Sequence, residues 1–244
     1  HAAGVCDPAS GQCSSPALAD GTACPLASGG GSCVAGVCTV ASCDAGHADC
    51  NGDASDGCEA EGSGTVDQAQ LQCPGWNLVL SPSQEPIGQT FVAGATGRLT
   101  GIEVGLHRCG QDDPTAIVQL AVSDSLGNVI ATASVPVAQL DGNCVGSGLD
   151  ANSVTAAFFD LTASCAQVTA AEALSLSMTL DQVSASTCDP TTYTCTGSGN
   201  YCDFDEDCQI NLRADVGSED YTAGTGTVRG ANFGYDLAFK TFVR

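Results

Sequence analysis

Oxygen-bearing side chains recur at alternate positions in a short loop that also contains glycine. They belong to Asp49, Asn51, Asp53, Asp56 and Glu59. Calcium takes about six to eight oxygen ligands, and loops of this kind supply several of them from one short segment. The spacing therefore predicts a calcium site, although an EF-hand would also need flanking helices. The alternative is that these Asp and Asn residues simply form turns.

A second acidic cluster lies between Cys202 and Cys208, where Asp203, Asp205 and Asp207 accompany a glutamate. A bridge between the two cysteines would hold four carboxylates in one loop, and their mutual repulsion favours a bound cation such as calcium. The alternative interpretation is a solvated acidic tip.

Three histidines give the chain the minimum inventory for a copper site. If His1 is a true N-terminus, its amino group and imidazole could bind copper together with His107 or His47. Such a site would resemble the histidine brace of lytic polysaccharide monooxygenases, but His1 precedes a cysteine-rich segment, unlike in that family. The motifs GxSxG and HExxH and a Walker-type loop are absent from the sequence. We therefore expect a non-catalytic protein, with a copper oxygenase as the remote alternative.

Four aromatic residues outside the predicted strands could stack on sugar rings: Trp76, Tyr193, Tyr201 and Tyr221. This hypothesis makes the chain a carbohydrate-binding module or lectin. The competing interpretation is that Trp76 closes one end of the hydrophobic core.

Sixteen cysteines are even in number, and no CxxC spacing occurs among them. Disulfides therefore explain them better than zinc or haem ligation. The cysteines predicted to form disulfides are Cys6, Cys13, Cys24, Cys33, Cys38, Cys43, Cys50, Cys58, Cys73, Cys109, Cys144, Cys165, Cys188, Cys195, Cys202 and Cys208. Bridges in this number predict an oxidising location, either secreted or at the cell surface.

The formal net charge of −22 is distributed unevenly, since the first basic residue other than histidine is Arg98. This charge disfavours nucleic acids and anionic membranes as partners. No run of about 18 apolar residues predicts a membrane span, and the first residues lack the pattern of a signal peptide. A leader already removed would account for the latter.

The polar segment that follows Cys58 separates the cysteines into two sets of eight, so we expect a boundary near residue 62. Residues 1–62 are rich in glycine and lack aromatic residues, which predicts a small, mostly irregular module held by disulfides. The segments Cys6–Cys13, Ala19–Cys24 and Cys33–Cys38 resemble the cysteine-rich repeats of large secreted proteins from myxobacteria and similar bacteria. The segment Cys43–Cys58 is similar to a second short motif that is common in those proteins. The resemblance implies export and surface display.

Residues 63–244 contain short runs in which apolar residues alternate with polar ones, as half-buried strands require. The predicted strands are 89–92, 99–107, 116–123, 128–137, 154–161, 173–180 and 235–243. Residues 118–135 predict a hairpin, and 163–174 is the one helix candidate. The sequence therefore predicts an all-β fold, a jelly-roll-like antiparallel β-sandwich that follows the small module.

The segments Gln89–Gly94, Leu99–Val104 and Asp236–Phe242 resemble strands in β-sandwich domains of bacterial extracellular proteins. That resemblance implies surface, adhesive or carbohydrate-binding roles. Few lysines would leave sheet edges unguarded, which permits pairing between subunits. The leading hypothesis is thus an extracellular structural or adhesive protein that assembles with itself into a fibre or matrix. Surface glycans are the alternative partner.

Overall fold

The computed structural model describes residues 8, 10, 14, 16–53, 57–60, 64–70, 76–80, 85–108, 116–140, 156–181, 188–189, 194–195, 212–217 and 221–244. The chain forms two compact units, His1–Gly62 and Ser63–Arg244, and these are the ranges that the sequence indicates. We call them the N-terminal unit and the sandwich unit.

The N-terminal unit contains an antiparallel sheet with the strand order β1-β2-β3 and a separate pair, β4 and β5. Its strands are β1 (Ala23–Leu26), β2 (Gly29–Val34), β3 (Val37–Cys43), β4 (His47–Ala48) and β5 (Glu59–Ala60). The sequence analysis expected mostly irregular structure here and missed this sheet. Its strands are short and its central strand begins with three glycines, so the alternation that reveals a strand is weak.

Disulfides reinforce the N-terminal unit where apolar side chains are few. The Cys24–Cys38 bridge joins the two outer strands of the sheet across Gly31. A Cβ atom at Gly31 would lie 2.5 Å from Cys38 Sγ, so only glycine leaves room for this crossing. A second bridge, Cys43–Cys58, ties the end of β3 to the segment before β5.

The sandwich unit consists of strands and two short 3-10 helices in its described part. The strands are β6 (Thr65–Gln70), β7 (Trp76–Leu80), β8 (Ile87–Val92), β9 (Gly97–Arg108), β10 (Ile117–Ser123), β11 (Val129–Pro136), β12 (Ala156–Asp160), β13 (Gln167–Val168), β14 (Ala173–Asp181), β15 (Cys188–Asp189), β16 (Thr194–Cys195), β17 (Leu212–Gly217), β18 (Gly226–Val228), β19 (Ala231–Asn232), β20 (Asp236–Leu237) and β21 (Phe239–Val243). The 3-10 helices are Val137–Gln139 and Thr162–Ser164.

Two antiparallel sheets form the layers of this unit. The first has six strands in the order β11-β10-β14-β8-β18-β19. The second has eight, with β20-β17-β9-β21-β6 as its path, β12 and β13 also paired to β9, and β7 paired to β17. Side chains from both sheets share one core, and Phe91 of the first sheet contacts Phe239 of the second, with ring centroids 5.9 Å apart. This arrangement confirms the predicted all-β antiparallel sandwich.

Each predicted strand of the sandwich unit overlaps an observed one, because alternation along the chain maps directly onto the two faces of a strand. In β14, the side chains of Leu174, Leu176, Met178 and Leu180 are buried while the residues between them are more exposed. The helix predicted at 163–174 is wrong, since this range holds a 3-10 turn, β13 and the start of β14. Its alanine content indicated a helix, whereas packing selected extended structure.

The predicted hairpin is present as β10 and β11, and the turn between them is organised by Asp124. Its Oδ1 accepts hydrogen bonds from the backbone N–H groups of Leu126 and Asn128, both at 2.9 Å, and Oδ2 accepts one from Asn128 Nδ2 at 2.8 Å. The bond from the Asn128 side chain, helped by those from the backbone, lowers the pKa of Asp124 below its ordinary value. Gly127 adopts a φ of +85°, which the turn requires. The stabilisation from these bonds is complete above the ordinary aspartate pKa and is lost as pH falls through the lowered one.

A buried polar network joins β8, β20 and the segment before β18. The side chains of Gln89 and Asp236 are both fully buried. Gln89 Nε2 donates to Asp236 Oδ1 at 2.9 Å, and Leu237 N donates to Gln89 Oε1 at 2.9 Å. Asp236 Oδ2 accepts a bond from Tyr221 N at 3.0 Å. Because both carboxylate oxygens have donors, this polar group is satisfied within the core.

Candidate functional site

Three oxygen atoms of the N-terminal acidic loop accept hydrogen bonds from backbone N–H groups of the same loop. Asp49 Oδ1 accepts a bond from Gly52 N at 2.7 Å, and Asn51 Oδ1 accepts one from Asp53 N at 2.6 Å. Glu59 Oε2 accepts a bond from Cys50 N at 2.8 Å, whereas Glu59 Oε1 is buried and has no hydrogen-bond partner among the described residues. In the part of the chain that the structure describes, no three His, Cys, Asp or Glu side chains gather as a metal site would require.

The other predicted ligands of metals fall partly outside the described ranges. Asp56, Asp203, Asp205, Asp207 and His1 lie outside them, so the calcium and copper sites stay predictions. His107 belongs to β9, but its side chain is not among those described. His47 begins β4 in the N-terminal unit, with Nδ1 3.3 Å from the carbonyl oxygen of Ala45.

Tyr221 does not provide the exposed ring that the sequence analysis expected. Its side chain is buried and meets Phe239 edge to face, with ring centroids 5.2 Å apart. The hydroxyl donates to Gln68 Oε1 at 3.2 Å. Burial raises the pKa of Tyr221, and the charges of Asp67 and Asp236 raise it further, so the phenol remains protonated and able to donate at neutral pH. Tyr221 is therefore a core residue and not a sugar platform.

The other three aromatic residues that the sequence predicts to stack on sugars are Trp76, Tyr193 and Tyr201. Trp76 was placed outside the predicted strands but begins β7, a strand that the sequence analysis missed. Tyr193 and Tyr201 lie outside the described residues. Stacking of these three residues on sugars thus stays a prediction.

Cysteine pairing agrees with the sequence analysis at six of the described positions and differs at one. Besides the two bridges given above, Cys50 and Cys165 are disulfide-bonded. Cys33 is a free thiol and is only 5% exposed, so its predicted disulfide is wrong in this structure. It faces Cys38 directly on the neighbouring strand, but Cys38 is already bonded to Cys24. Cys188 and Cys195 lie opposite each other in the backbone register of β15 and β16.

Seven of the predicted disulfide positions lie outside the described residues, and their bridges stay predictions. The cysteines outside the described residues are Cys6, Cys13, Cys73, Cys109, Cys144, Cys202 and Cys208. The bridges that are present indicate that the protein folds in an oxidising environment, because such bonds are rare in the reducing cytosol.

A group of apolar side chains lies on the outer face of the eight-stranded sheet, away from the core. Phe158 of β12 is 43% exposed and Val66 of β6 is 54% exposed. Between them, Phe242 of β21 is partly exposed and meets Phe158 with ring centroids 5.7 Å apart at 71°. Val66 is directly opposite Phe242 in register. We call Val66, Phe158 and Phe242 the aromatic patch.

The ring of Phe158 packs on the backbone of Gly101 in β9. A Cβ atom at this position would lie 2.5 Å from Phe158 Cζ, so the ring rests on the sheet where the glycine has no side chain. Such contacts between an aromatic ring and a strand glycine also protect the exposed backbone. The ring of Phe158 is therefore held in place although almost half of it faces solvent.

An ion pair borders the aromatic patch. Lys240 Nζ lies 2.5 Å from Glu103 Oε2, and their side chains are 27% and 23% exposed. Glu103 is directly opposite Lys240 on one side and Phe158 on the other. The face thus combines exposed apolar rings with a positive and a negative group at their border. It offers surfaces for stacking and polar atoms for hydrogen bonds.

No protein-family model and no curated protein matches this chain. The resemblance to cysteine-rich repeats therefore stays a prediction. Within its described part, the protein also has no helix with the length and hydropathy that crossing a lipid bilayer would need.

The sequence contained a signal for this patch that the sequence analysis missed. Phe158 and Phe159 are adjacent in one strand, and neighbouring side chains in a strand point to opposite faces. Phe159 is fully buried, so Phe158 has to face outward. Phe239 and Phe242 are three positions apart in one strand, so their side chains also point to opposite faces. Phe239 is fully buried, and Phe242 therefore faces outward.

Proposed function

We propose that this chain is a non-catalytic extracellular adhesive protein that attaches to other molecules through the aromatic patch. The observation that supports this proposal is the position of Phe158, which is 43% exposed yet held by Phe242 and by the backbone of Gly101. An exposed ring on a rigid strand can bind a partner without losing much conformational freedom, which lowers the entropic cost of binding. The disulfides of the N-terminal unit suit a molecule that works in an oxidising environment.

Removal of the exposed ring should weaken attachment while the fold is retained. The full-length protein would be incubated with three insoluble materials, a neutral polysaccharide, an anionic polysaccharide gel and a fibrous protein, and the fraction that sediments would be measured. We expect retention on at least one material, and a loss of about tenfold in affinity for Phe158→Ser, because one stacked ring contributes on the order of 1.4 kcal/mol.

Phe233→Ser provides the matched control. Phe233 is similarly exposed, at 39%, but it directly follows β19, a strand of the six-stranded sheet, and is not part of the aromatic patch. Its retention should equal that of the unmodified protein. Circular dichroism would verify that both variants are folded. Equal retention of Phe158→Ser and Phe233→Ser, or no retention of the unmodified protein on any material, would contradict the proposal.

Self-assembly into a fibre is a second candidate function, and the edge strand β11 favours it. This strand forms one edge of the six-stranded sheet, and its eight residues include no charged side chain. The N–H of Thr132 points away from the sheet and is already occupied, since it donates to Ser164 Oγ at 3.2 Å. With a period of two along a strand, the N–H of Ser134 points to the same edge. Uncharged edges of this length can pair with another subunit.

A lysine on this edge should prevent assembly if the edge is the interface. We expect fibres or concentration-dependent oligomers of the unmodified protein in electron microscopy and sedimentation velocity, and monomers for Ser134→Lys. Gln119→Lys is the matched control, because Gln119 is exposed and lies directly opposite Ser134 on the interior strand β10. Monomeric unmodified protein at all concentrations would rule out this candidate function.

A further inference from the structure

The aromatic patch has a shape that can accommodate a single sugar ring. The ring planes of Phe158 and Phe242 make an angle of 71°, so the two rings form a shallow concave surface above the sheet and not a flat one. A pyranose ring placed on Phe158 would have its C–H face against that ring and its edge against Phe242. We propose that the patch binds a neutral polysaccharide chain, an inference that rests on the adhesive function proposed above and specifies its ligand.

The size of the patch favours a sugar chain over a protein partner. A phenylalanine side chain contributes about 150 to 250 Å² of surface, so the exposed parts of the three side chains add up to on the order of 200 Å². A stable protein interface needs about 800 Å² on each partner. One or two sugar rings, in contrast, can be matched by an apolar area of this size.

The charges around the patch indicate that the ligand is uncharged. With a net charge of −22, the protein repels anionic polymers. Beside the rings, the positive charge of Lys240 is paired with the negative charge of Glu103, so this pair adds no net charge to the border. A neutral polysaccharide does not encounter this repulsion.

Polar atoms next to Phe158 are suited to hydroxyl groups. Glu103 uses Oε2 in the ion pair, and within the described residues no hydrogen bond reaches its Oε1. Asp160, on the same strand as Phe158, is exposed, and its Oδ1 accepts a bond from Thr162 N at 3.0 Å. Carboxylate oxygens accept hydrogen bonds from neighbouring sugar hydroxyls, and the Lys240 ammonium donates to a hydroxyl oxygen. The patch therefore combines stacking with groups that could distinguish the orientation of a sugar.

Titration calorimetry with soluble oligosaccharides tests this inference on the full-length protein. The probes are neutral oligosaccharides from cellulose, chitin, xylan and starch, together with the anionic oligomers of polygalacturonate. We expect binding of at least one neutral probe and none of the anionic one. Phe158→Ser and Phe158→Leu should each weaken binding about tenfold, since leucine covers Gly101 but cannot stack. Glu103→Gln should weaken it less, and Phe233→Ala should leave it unchanged.

The possible outcomes separate this inference from the proposed function. If no neutral oligosaccharide binds, or if Phe158→Leu binds as tightly as the unmodified protein, the patch is not a sugar site. If, in addition, the protein sediments with the fibrous protein and Phe158→Ser does not, the adhesive function stands and only its ligand class is overturned. If the protein binds none of the insoluble materials and none of the oligosaccharides, both the adhesive function and its sugar ligand are overturned.

Discussion

Replacement of Asp236 with alanine is expected to lower the free energy of unfolding of the sandwich unit by about 2 to 6 kcal/mol. The change removes the acceptors for Gln89 Nε2 and Tyr221 N, which lie in the buried part of the fold. A buried donor left without a partner costs about 1 to 3 kcal/mol, and two are affected here. Gln89 Nε2 retains its bond to the carbonyl oxygen of Thr90, which limits the loss on that side.

Denaturant unfolding followed by tryptophan fluorescence would measure this effect in the relevant unit, because Trp76 is the only tryptophan and belongs to the sandwich unit. Asp236→Asn should have an intermediate effect, since it preserves the shape but replaces one acceptor oxygen with a donor. Asp181→Ala is the surface control, because Asp181 is exposed at the end of β14, and its effect should remain within about 0.5 kcal/mol. Equal stability of the two alanine variants would show that the network is not needed.

Truncation of Phe239 to alanine should destabilise the sandwich unit by about 3 to 5 kcal/mol, as is typical of a large aromatic residue removed from a core. Phe239 is fully buried and contacts Phe91 of the opposite sheet as well as Tyr221. Its removal would leave a cavity at the point where the two sheets meet. The same denaturant experiment, followed through Trp76, measures the loss.

Phe242→Ala is the matched control for this experiment, because Phe242 lies on the same strand but on its outer face and is partly exposed. It should cost clearly less than Phe239→Ala, since solvent already reaches part of its ring. Phe239→Leu, which refills most of the cavity, should recover much of the lost stability. If Phe239→Ala and Phe242→Ala were equally destabilising, the distinction between inner and outer faces would be wrong.

The candidate site could be predicted from the sequence only in part. The adjacency of Phe158 and Phe159 requires one of them to face outward, and this is a local property of a strand. The sequence does not reveal that Phe242 and Gly101 contact Phe158, because they come from two other strands. The sequence instead indicates aromatic residues outside the predicted strands as sugar-binding surfaces. For Tyr221 this prediction is wrong, because residues distant in the sequence cover its ring.

Local patterns in the sequence were sufficient for the all-β class, the hairpin of β10 and β11 and the use of most described cysteines in disulfides. Alternation has a period of two residues, and turn formation at Gly127 depends on its own backbone, so neither needs distant contacts. Only the tertiary structure decided that Tyr221 is buried, that Cys33 is free and that Asp236 is satisfied in the core. Each of these outcomes depends on partners that the chain brings close only when it folds. Tyr221 and Gln68, for example, are 153 positions apart, and no local pattern connects them.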